Sequence, residues 1–258
     1  MILVLILNGC GEEAMNETKP DEGKKVIIGV DINFPPYTFK GENGEVVGFD
    51  ADLAKETMRR LNRSIEFKPI DWSRKHIELQ EKHIDMIWSG LDINEQRKEV
   101  MSFMKPYLTS GQIIFINRSI NKSQITDKSK LAGMVVGIQK DTSAETHINE
   151  DNNLKYTIKE LRLYDDYPTA FTDLAKRDID AVICDEINGR YFIFKNNLKN
   201  KINALDIYIG EKDMVSVGFR KDDVTFREEV QKTFNEMIED GTAQRISERW
   251  FGNNLIIK

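Results

Sequence analysis

The first part of the chain alternates between short apolar runs and segments in which apolar residues recur at helical spacing. The apolar runs are rich in β-branched residues, which predicts strands at residues 26–30, 65–70 and 84–88. Between the first two runs, Leu53, Thr57 and Leu61 fall on one face of a helix that Asp50 is placed to cap. A second helix is predicted over residues 73–82. Strands that alternate with helices in this way are typical of an open α/β sheet.

The same alternation recurs in the second part of the chain. Strands are predicted at residues 135–138, 157–163 and 179–183, with helices that begin at Thr142-Ser143 and at Pro168. A strand and two helices complete the chain, at residues 215–219, 225–240 and 243–250. No segment rich in glycine and serine separates the two parts. We therefore predict two α/β lobes of similar build, joined by short strands.

The composition describes a soluble globular protein. Of the 258 residues, 40% are hydrophobic and 31% are charged, which argues against a disordered chain or one that spans a membrane. The formal net charge of −6, without a basic stripe, argues against a nucleic-acid partner. His76, His83 and His147 lack the spacing of metal ligands, so no metal site is predicted. Cys184 lies within an apolar run and is expected to be a small core residue.

The N-terminus begins with a purely apolar run, MILVLIL, followed by Asn8-Gly9-Cys10. The run is too short to cross a bilayer, which takes about 20 residues, but it fits the apolar region of a secretory signal. Residues 7–10 resemble a bacterial lipoprotein signal, although Asn8 and the missing basic residues depart from that pattern. We expect residues 1–10 to form this signal, Cys10 to be lipidated and residues 11–25 to form a flexible tether. The alternative is an apolar terminus with a buried cysteine.

Three longer stretches resemble one known family. They are DINFPPYTFKGENGEVVGFDADLAKETMRRL at residues 31–61, GLDINEQRKEVMSFMKPYLTSG at residues 90–111 and LYDDYPTAFTDLAKRDIDAVICDE at residues 163–186. In this order they are similar to segments of the polar amino-acid solute-binding proteins of bacterial ABC importers, the family 3 extracellular solute-binding proteins. The resemblance covers roughly residues 26–252, and it is more specific than any single motif.

The resemblance implies a two-lobed periplasmic-binding-protein fold of type II. Each lobe is then an open mixed sheet flanked by helices, and a two-strand hinge joins the lobes. Mapped onto this chain, lobe 1 comprises residues 26–111 plus 212–258, and lobe 2 comprises residues 112–211. The hinge strands lie near residues 112–117 and 206–208. Ligands of open α/β sheets bind beyond the carboxyl ends of the strands, where the candidate residues cluster.

The resemblance also assigns the groups that bind the two charges of an amino acid. Arg97 would bind the carboxylate, because a guanidinium pairs with a carboxylate through two hydrogen bonds. Backbone amides at Asp92 and at Thr142-Ser143 would complete this site. Asp185 and the carbonyl of Gly90 would accept from the ammonium group. The family usually has a hydroxyl where this chain has Asp92, so Asp92 either adds a second charged contact or pairs with Arg97 when no ligand is bound.

A pocket for the ligand side chain is expected at Asp31, Phe34, Trp72, Ser89 and Gln139. Trp88 belongs either to this pocket or to the core, and Lys140 lies close enough in sequence to offset one acid. Counting three aspartates against Arg97 gives the site a charge near −2 if all are ionised, and aromatic rings also stack on cations. We therefore expect a basic ligand, namely arginine, lysine or ornithine, with glutamine and cystine as neutral alternatives.

The function that the resemblance implies is the substrate-binding component of an amino-acid ABC transporter, which is not an enzyme and needs no cofactor. Its expected partners are a free L-amino acid, the transmembrane subunits of a permease and the membrane, through the lipid anchor. We expect a monomer outside the cytoplasm, in the periplasm or on the outer face of the cell membrane.

Two alternatives to this function are open. One is a dehydratase of cyclic carboxylic acids on the same fold, with Asp31 or Asp92 as proton donor. The other is a ligand-sensing input protein.

Overall fold

The computed structural model of the chain describes residues 25–257, in which strands and helices alternate. The strands are β1 Val26–Val30, β2 Asn33–Phe34, β3 Thr38–Lys40, β4 Val46–Val47, β5 Ile65–Pro69, β6 Met86–Ile93, β7 Ser102–Phe103, β8 Leu108–Asn117, β9 Val135–Gln139, β10 Glu160–Tyr164, β11 Ala181–Asp185 and β12 Ile202–Phe219. The α-helices are α1 Phe49–Arg60, α2 Lys75–Gln80, α3 Glu95–Val100, α4 Ser143–Glu150, α5 Asn152–Thr157, α6 Tyr167–Lys176, α7 Glu186–Lys195, α8 Val224–Glu239 and α9 Thr242–Phe251.

Within residues 25–257, nine strands form one mixed sheet. The order of eight of them is β10-β9-β11-β8-β12-β6-β1-β5. The ninth, the short strand β7, pairs with β12. In lobe 1, β1 runs parallel to β5 and β6. In lobe 2, β9 runs parallel to β10 and β11. The short strands β2, β3 and β4 form a separate sheet. Helices flank the part of this mixed sheet that lies in each lobe, which confirms the predicted α/β fold class.

Strands β8 and β12 run through both lobes as antiparallel neighbours. At one end Leu108 pairs with Val215, and at the other end Asn117 pairs with Ile202. The first end lies next to β6 of lobe 1, and the second lies next to β11 of lobe 2. The register between β8 and β12 shifts twice between residues 205 and 213. The predicted hinge segments lie on these two strands. That the strands bend there, and that the lobes divide at residues 111/112 and 211/212, stay predictions.

Both faces of β8 are buried, which explains its apolar run at residues 113–116. Phe115 packs edge to face against Phe171 of α6, with ring centroids 5.2 Å apart. Its neighbour Ile114 belongs to a second cluster, with Ile148 of α4. Successive side chains of a strand point to opposite faces of the sheet. Apolar side chains therefore fill both faces of the sheet along residues 113–116.

Helix α1 is not capped by Asp50, so that prediction was wrong. The N-cap is Gly48, and Asp50 lies fully buried in the first turn. The Asp50 carboxylate accepts a hydrogen bond of 2.6 Å from the backbone N–H of Gly90 and one of 2.7 Å from the Tyr107 hydroxyl. Both partners are distant in sequence, so local capping preferences could not reveal them.

Other element boundaries also differ from the sequence predictions. Strand β6 begins later and extends to Ile93, because it pairs with Met214 and its neighbours on β12. The predicted strand at residues 157–163 is the end of α5 followed by β10. Helix α7 was missed because Gly189 and the aromatic residues around it are weak helix formers. Its Gly189 fits closely against the Phe115 ring, where a Cβ would lie 2.2 Å from the ring.

In the part of the chain that the structure describes, no helix combines the length and the apolar character needed to cross a membrane. The predicted signal, the lipidation at Cys10 and the tether up to residue 24 lie outside the described residues.

We predict that Gly48→Ala destabilises the fold far more than Gly44→Ala. Both positions have positive φ, 135° and 85°, where a side chain costs about 1 kcal/mol or more. At Gly48 a Cβ would also lie 2.2 Å from the carbonyl oxygen of Tyr37, whereas at Gly44 its nearest neighbour would be Lys40 Cε at 3.6 Å. We expect a loss of about 3 kcal/mol or more for Gly48→Ala in urea unfolding. Equal losses in the two variants would contradict the steric argument.

Candidate functional site

A cavity lined by residues of both lobes lies between them. Strands β1, β9 and β11 point their carboxyl ends toward it, which is where open α/β sheets bind ligands. The residues that line the cavity are Asp31, Phe34, Trp72, Ser89, Gly90, Asp92, Arg97, Gln112, Gln139, Thr142, Ser143, Tyr167 and Asp185.

All the residues that the sequence placed firmly in the site line this one cavity; their role in binding stays a prediction. Two lining residues were missed, Gln112 and Tyr167. Gln112 is a buried polar side chain at the start of an apolar run in β8, and its amide donates to Asp213. Tyr167 stands at the first position of α6, just before Pro168. The polar Gln112 next to an apolar run was visible in the sequence and could have indicated a residue of the site.

The two less certain predictions, Trp88 and Lys140, do not line the cavity. Trp88 is fully buried in the core, with its ring centroid 6.0 Å from that of Phe234. Both faces of β6 are buried, so alternation along the strand did not reveal which face the indole takes. Lys140 points into solvent and pairs with Asp165 at 2.6 Å. It follows Gln139 directly in the chain, but its side chain leaves the site.

Arg97 is a buried guanidinium held by backbone carbonyls. Asn94 is the N-cap of helix α3, and its side chain accepts a hydrogen bond from the Arg97 N–H. The guanidinium donates 2.8 Å hydrogen bonds to the carbonyl oxygens of Asp92 and Asp141. A guanidinium has five N–H donors, and these two bonds fix its plane. Because Arg97 is only 6% exposed, its charge needs a counter-charge from a neighbour or from a ligand.

The start of α4 faces the cavity from lobe 2. Thr142 is the N-cap residue, and its hydroxyl donates to the carbonyl of Gln139 instead of accepting from the helix. Among the described residues, no side chain caps the N–H groups of this first turn. These N–H groups and the helix dipole favour a negative group at Thr142 and Ser143. The helix start and Arg97 together therefore suit a carboxylate.

Asp92 is a buried acid of the cavity. Burial raises the pKa of its carboxyl well above the ordinary value; the nearby Asp213 adds to the rise, and Arg97 opposes it. The carboxylate accepts a 2.6 Å hydrogen bond from the hydroxyl of Ser143 on the other lobe. Arg97 contacts the backbone carbonyl of Asp92. Both predicted roles of the Asp92 carboxylate stay predictions.

Asp185 ends β11 and is the N-cap of α7, where it accepts a 2.8 Å hydrogen bond from the N–H of Asn188. Burial raises the pKa of its carboxyl to about 6. The hydroxyl of Tyr37, from lobe 1, lies 3.3 Å from one of its oxygens. A cation placed here would favour the ionised form and lower this pKa again. The carboxylate is thus suited to an ammonium group.

Asp31 follows β1 and has hydrogen-bond partners on both lobes. Burial raises the pKa of its carboxyl, and a 2.8 Å hydrogen bond from the Gln139 amide on lobe 2 opposes the rise. Its backbone N–H donates to the Ser89 hydroxyl at 3.0 Å. The carboxyl therefore accepts a bond across the lobes while its backbone is held within lobe 1.

Gly90 presents its backbone to the cavity in a conformation that a side chain would disturb. Its φ is 57°, and a Cβ would lie 2.7 Å from the Phe34 ring. The buried Asp50 carboxyl accepts from the Gly90 N–H, and burial raises the pKa of this carboxyl to about 7. Asp50 therefore fixes the Ser89–Gly90 peptide, which directly precedes the Gly90 carbonyl that is predicted to accept from a ligand ammonium group.

Aromatic rings form the apolar part of the lining. Phe34 stacks on Tyr37, with ring centroids 5.2 Å apart, and lies 6.0 Å from Tyr167 of lobe 2. Trp72 is 7% exposed and adds an indole. Such rings suit an aliphatic chain or a cation stacked on their faces.

The lobes are closed over the cavity. Besides the Asp31–Gln139 and Asp92–Ser143 bonds, the amide of Asn188 in lobe 2 donates a 2.6 Å hydrogen bond to the carbonyl of Pro35 in lobe 1. Cys184 beneath the site is fully buried. Within residues 25–257, no group of three or more histidine, cysteine, aspartate or glutamate side chains is arranged to hold a metal ion.

One protein family and several characterised proteins are similar to this chain. The family described as bacterial extracellular solute-binding proteins, family 3, matches residues 26–253. The L-cystine-binding protein TcyJ of Escherichia coli (strain K12) is 28% identical over 244 residues, which cover 95% of this chain and 88% of that protein.

Solved structures give the same result. The substrate-binding protein of an ABC uptake transporter from Streptococcus pneumoniae, with bound histidine, has a TM-score of 0.85 at 29% identity, covering 91% of this chain and 95% of that one. An ancestral arginine-binding protein bound to arginine has a TM-score of 0.81 at 31% identity, covering 88% and 98%. The match of the family over nearly the whole described part, on the same fold, leads to one conclusion. The chain belongs to family 3 of the bacterial extracellular solute-binding proteins.

Proposed function

We propose that the protein is the extracytoplasmic substrate-binding component of an amino-acid ABC importer, and that it captures one free L-amino acid by closure of its lobes. The observation that carries the proposal is the placement of two opposite charges, Arg97 on lobe 1 and Asp185 on lobe 2, around the same cavity. An α-amino acid has a carboxylate and an ammonium group on one carbon. It can therefore pair with both residues at once and bridge the lobes.

The carboxylate would bind to Arg97 and to the first turn of α4. The guanidinium is held by two backbone carbonyls, so it needs little reorganisation to accept the ligand. The N–H groups at Thr142 and Ser143 would add hydrogen bonds from lobe 2. Charge-assisted bonds of this kind are about twice as strong as neutral ones.

The ammonium group would bind to Asp185, to the carbonyl of Gly90 and to Asp92. The Asp185 and Asp92 carboxyls have raised pKa values because they are buried, and a ligand cation would offset that burial. Asp92 then acts as a second charged contact, in place of the family hydroxyl. Its 2.6 Å bond with Ser143 leaves its other carboxylate oxygen for the ligand.

The ligand side chain would lie between the aromatic rings and point toward Asp31. A positive group there would favour the ionised form of the Asp31 carboxyl, whose pKa is raised by burial. This supports arginine, lysine or ornithine as the ligand, with glutamine and cystine as neutral rivals. The similarity to proteins named for cystine, histidine and arginine supports an amino acid as the ligand class.

Capture would proceed by population shift rather than by any chemical step. A ligand that touches both lobes binds the closed state more tightly and so increases its population. The closed form is then the form that the transmembrane subunits of a permease recognise. We further propose that the protein acts as a monomer and that a lipid on Cys10 anchors it to the membrane.

We predict that isothermal titration calorimetry ranks the basic amino acids first. The sharpest comparison is L-arginine against L-citrulline, which has nearly the same shape without the charge. L-arginine should bind at least about tenfold more tightly, a difference of about 1.4 kcal/mol. L-lysine, L-ornithine, L-glutamine, L-cystine and L-glutamate complete the panel. A preference for L-glutamate would contradict the charge argument.

We predict that Arg97→Met weakens the binding of L-arginine at least about 100-fold, or about 3 kcal/mol, because a buried charge pair is lost. Argininamide, which has no carboxylate charge, should lose much less. The control is Lys98→Met, the next residue of α3, whose side chain is about half exposed and pairs with Glu95. It should bind both ligands as the wild type does. If Arg97→Met lowers the affinity for both ligands equally, Arg97 is not the carboxylate receptor.

A further inference from the structure

Lys75 is a buried lysine that neither the family resemblance nor the cavity lining explains. It is the first residue of α2, and it is 1% exposed. Lysine is almost never fully buried unless its charge is paired. A side chain in this state close to a binding site is a candidate for a functional role.

The partners of Lys75 lie on both lobes. Its Nζ donates to the carbonyl of Trp72 at 3.2 Å and stands 4.9 Å from the centroid of the Trp72 ring, both within lobe 1. It also donates to the carbonyl of Asp141 at 3.0 Å and forms an ion pair with the Asp141 carboxylate, both across the lobes. We call the Lys75–Asp141 contacts the interlobe bridge.

The interlobe bridge meets the binding site at a single peptide. The carbonyl of Asp141 that accepts from Lys75 also accepts the 2.8 Å hydrogen bond from Arg97. Asp141 has φ 55° and directly precedes Thr142, at the start of α4. Two cations of lobe 1 therefore hold the peptide that leads into the N–H groups facing the cavity. Opening the lobes must break all of these contacts.

We propose that Lys75 is a positioning residue for ligand capture, and that through Asp141 it holds the start of α4 against Arg97 and Trp72 and so keeps the lobes closed over the ligand. This inference rests on the proposed function, because it assumes that closure retains an amino acid. Asp141 and Glu145 of lobe 2 favour the ionised form of Lys75, while burial and the Arg97 charge lower its pKa to about 7.

The inference concerns the lifetime of the complex more than the rate of encounter. Lys75 does not line the cavity, so an incoming amino acid meets Arg97 and Asp185 without it. Loss of a contact made only in the closed state raises the dissociation rate and changes the association rate little. A ligand that binds only the closed state also loses apparent affinity when that state is less populated.

The test measures association and dissociation of L-arginine, or of the panel amino acid that binds most tightly, by stopped-flow fluorescence with Lys75→Met. We expect dissociation at least about tenfold faster and association within about threefold of the wild type. Asp141→Asn is the second variant, because Asp141 is about half exposed and asparagine tolerates positive φ. The double variant should dissociate no faster than Lys75→Met alone.

The matched control is Lys68→Met. Lys68 of β5 pairs at 2.8 Å with Glu78 of α2, the helix that also carries Lys75, but this pair lies within lobe 1. Its dissociation rate should equal that of the wild type. If wild-type protein binds an amino acid and both Lys75→Met and Asp141→Asn release it at the wild-type rate, the inference is overturned while the proposed function stands. If the wild type binds none of the panel, the proposed function fails and this inference fails with it.

Discussion

A buried guanidinium between two lobes is the constraint on which the rest of the site depends. Arg97 is nearly inaccessible to water, and a charge in that position is costly unless other groups pair with it. Backbone carbonyls of both lobes accept two of its hydrogen bonds, which fixes the guanidinium and also ties lobe 1 to lobe 2. In the proposed complex the ligand carboxylate supplies the counter-charge. Recognition of the ligand and closure of the lobes are then one interaction.

The acids of the cavity complement this arrangement. Burial raises the pKa of the Asp31, Asp92 and Asp185 carboxyls, so each gains from a nearby cation. Hydrogen bonds that cross the lobes hold the three carboxyls, while the buried Asp50 fixes the Ser89–Gly90 peptide beside them. In the proposed complex the site selects for a ligand with a carboxylate at one end and positive charge at the other. No reaction is needed to explain this geometry.

Much of the fold could be predicted from the alternation of apolar runs and helical patterns, and most of the site from the resemblance to the family. Arg97 and Asp185 lie in recognisable segments, and both line the cavity. The face taken by Trp88 could not be predicted, because both faces of β6 are buried and alternation carries no information there. Asp50 and Lys75 were beyond sequence reasoning for a different reason: their partners lie 40 or more residues away. Local pattern describes a residue's own element, whereas these roles arise from contacts between elements.

The central claim is that one amino acid spans the lobes, with its carboxylate on Arg97 and its ammonium group on Asp185. The most direct measurement is a crystal structure of the protein with the amino acid that it binds most tightly. The claim predicts the carboxylate oxygens about 3 Å from the Arg97 guanidinium and the ammonium nitrogen about 3 Å from the Asp185 carboxylate. A ligand bound outside this cavity, or one with its ammonium group away from Asp185, would contradict it.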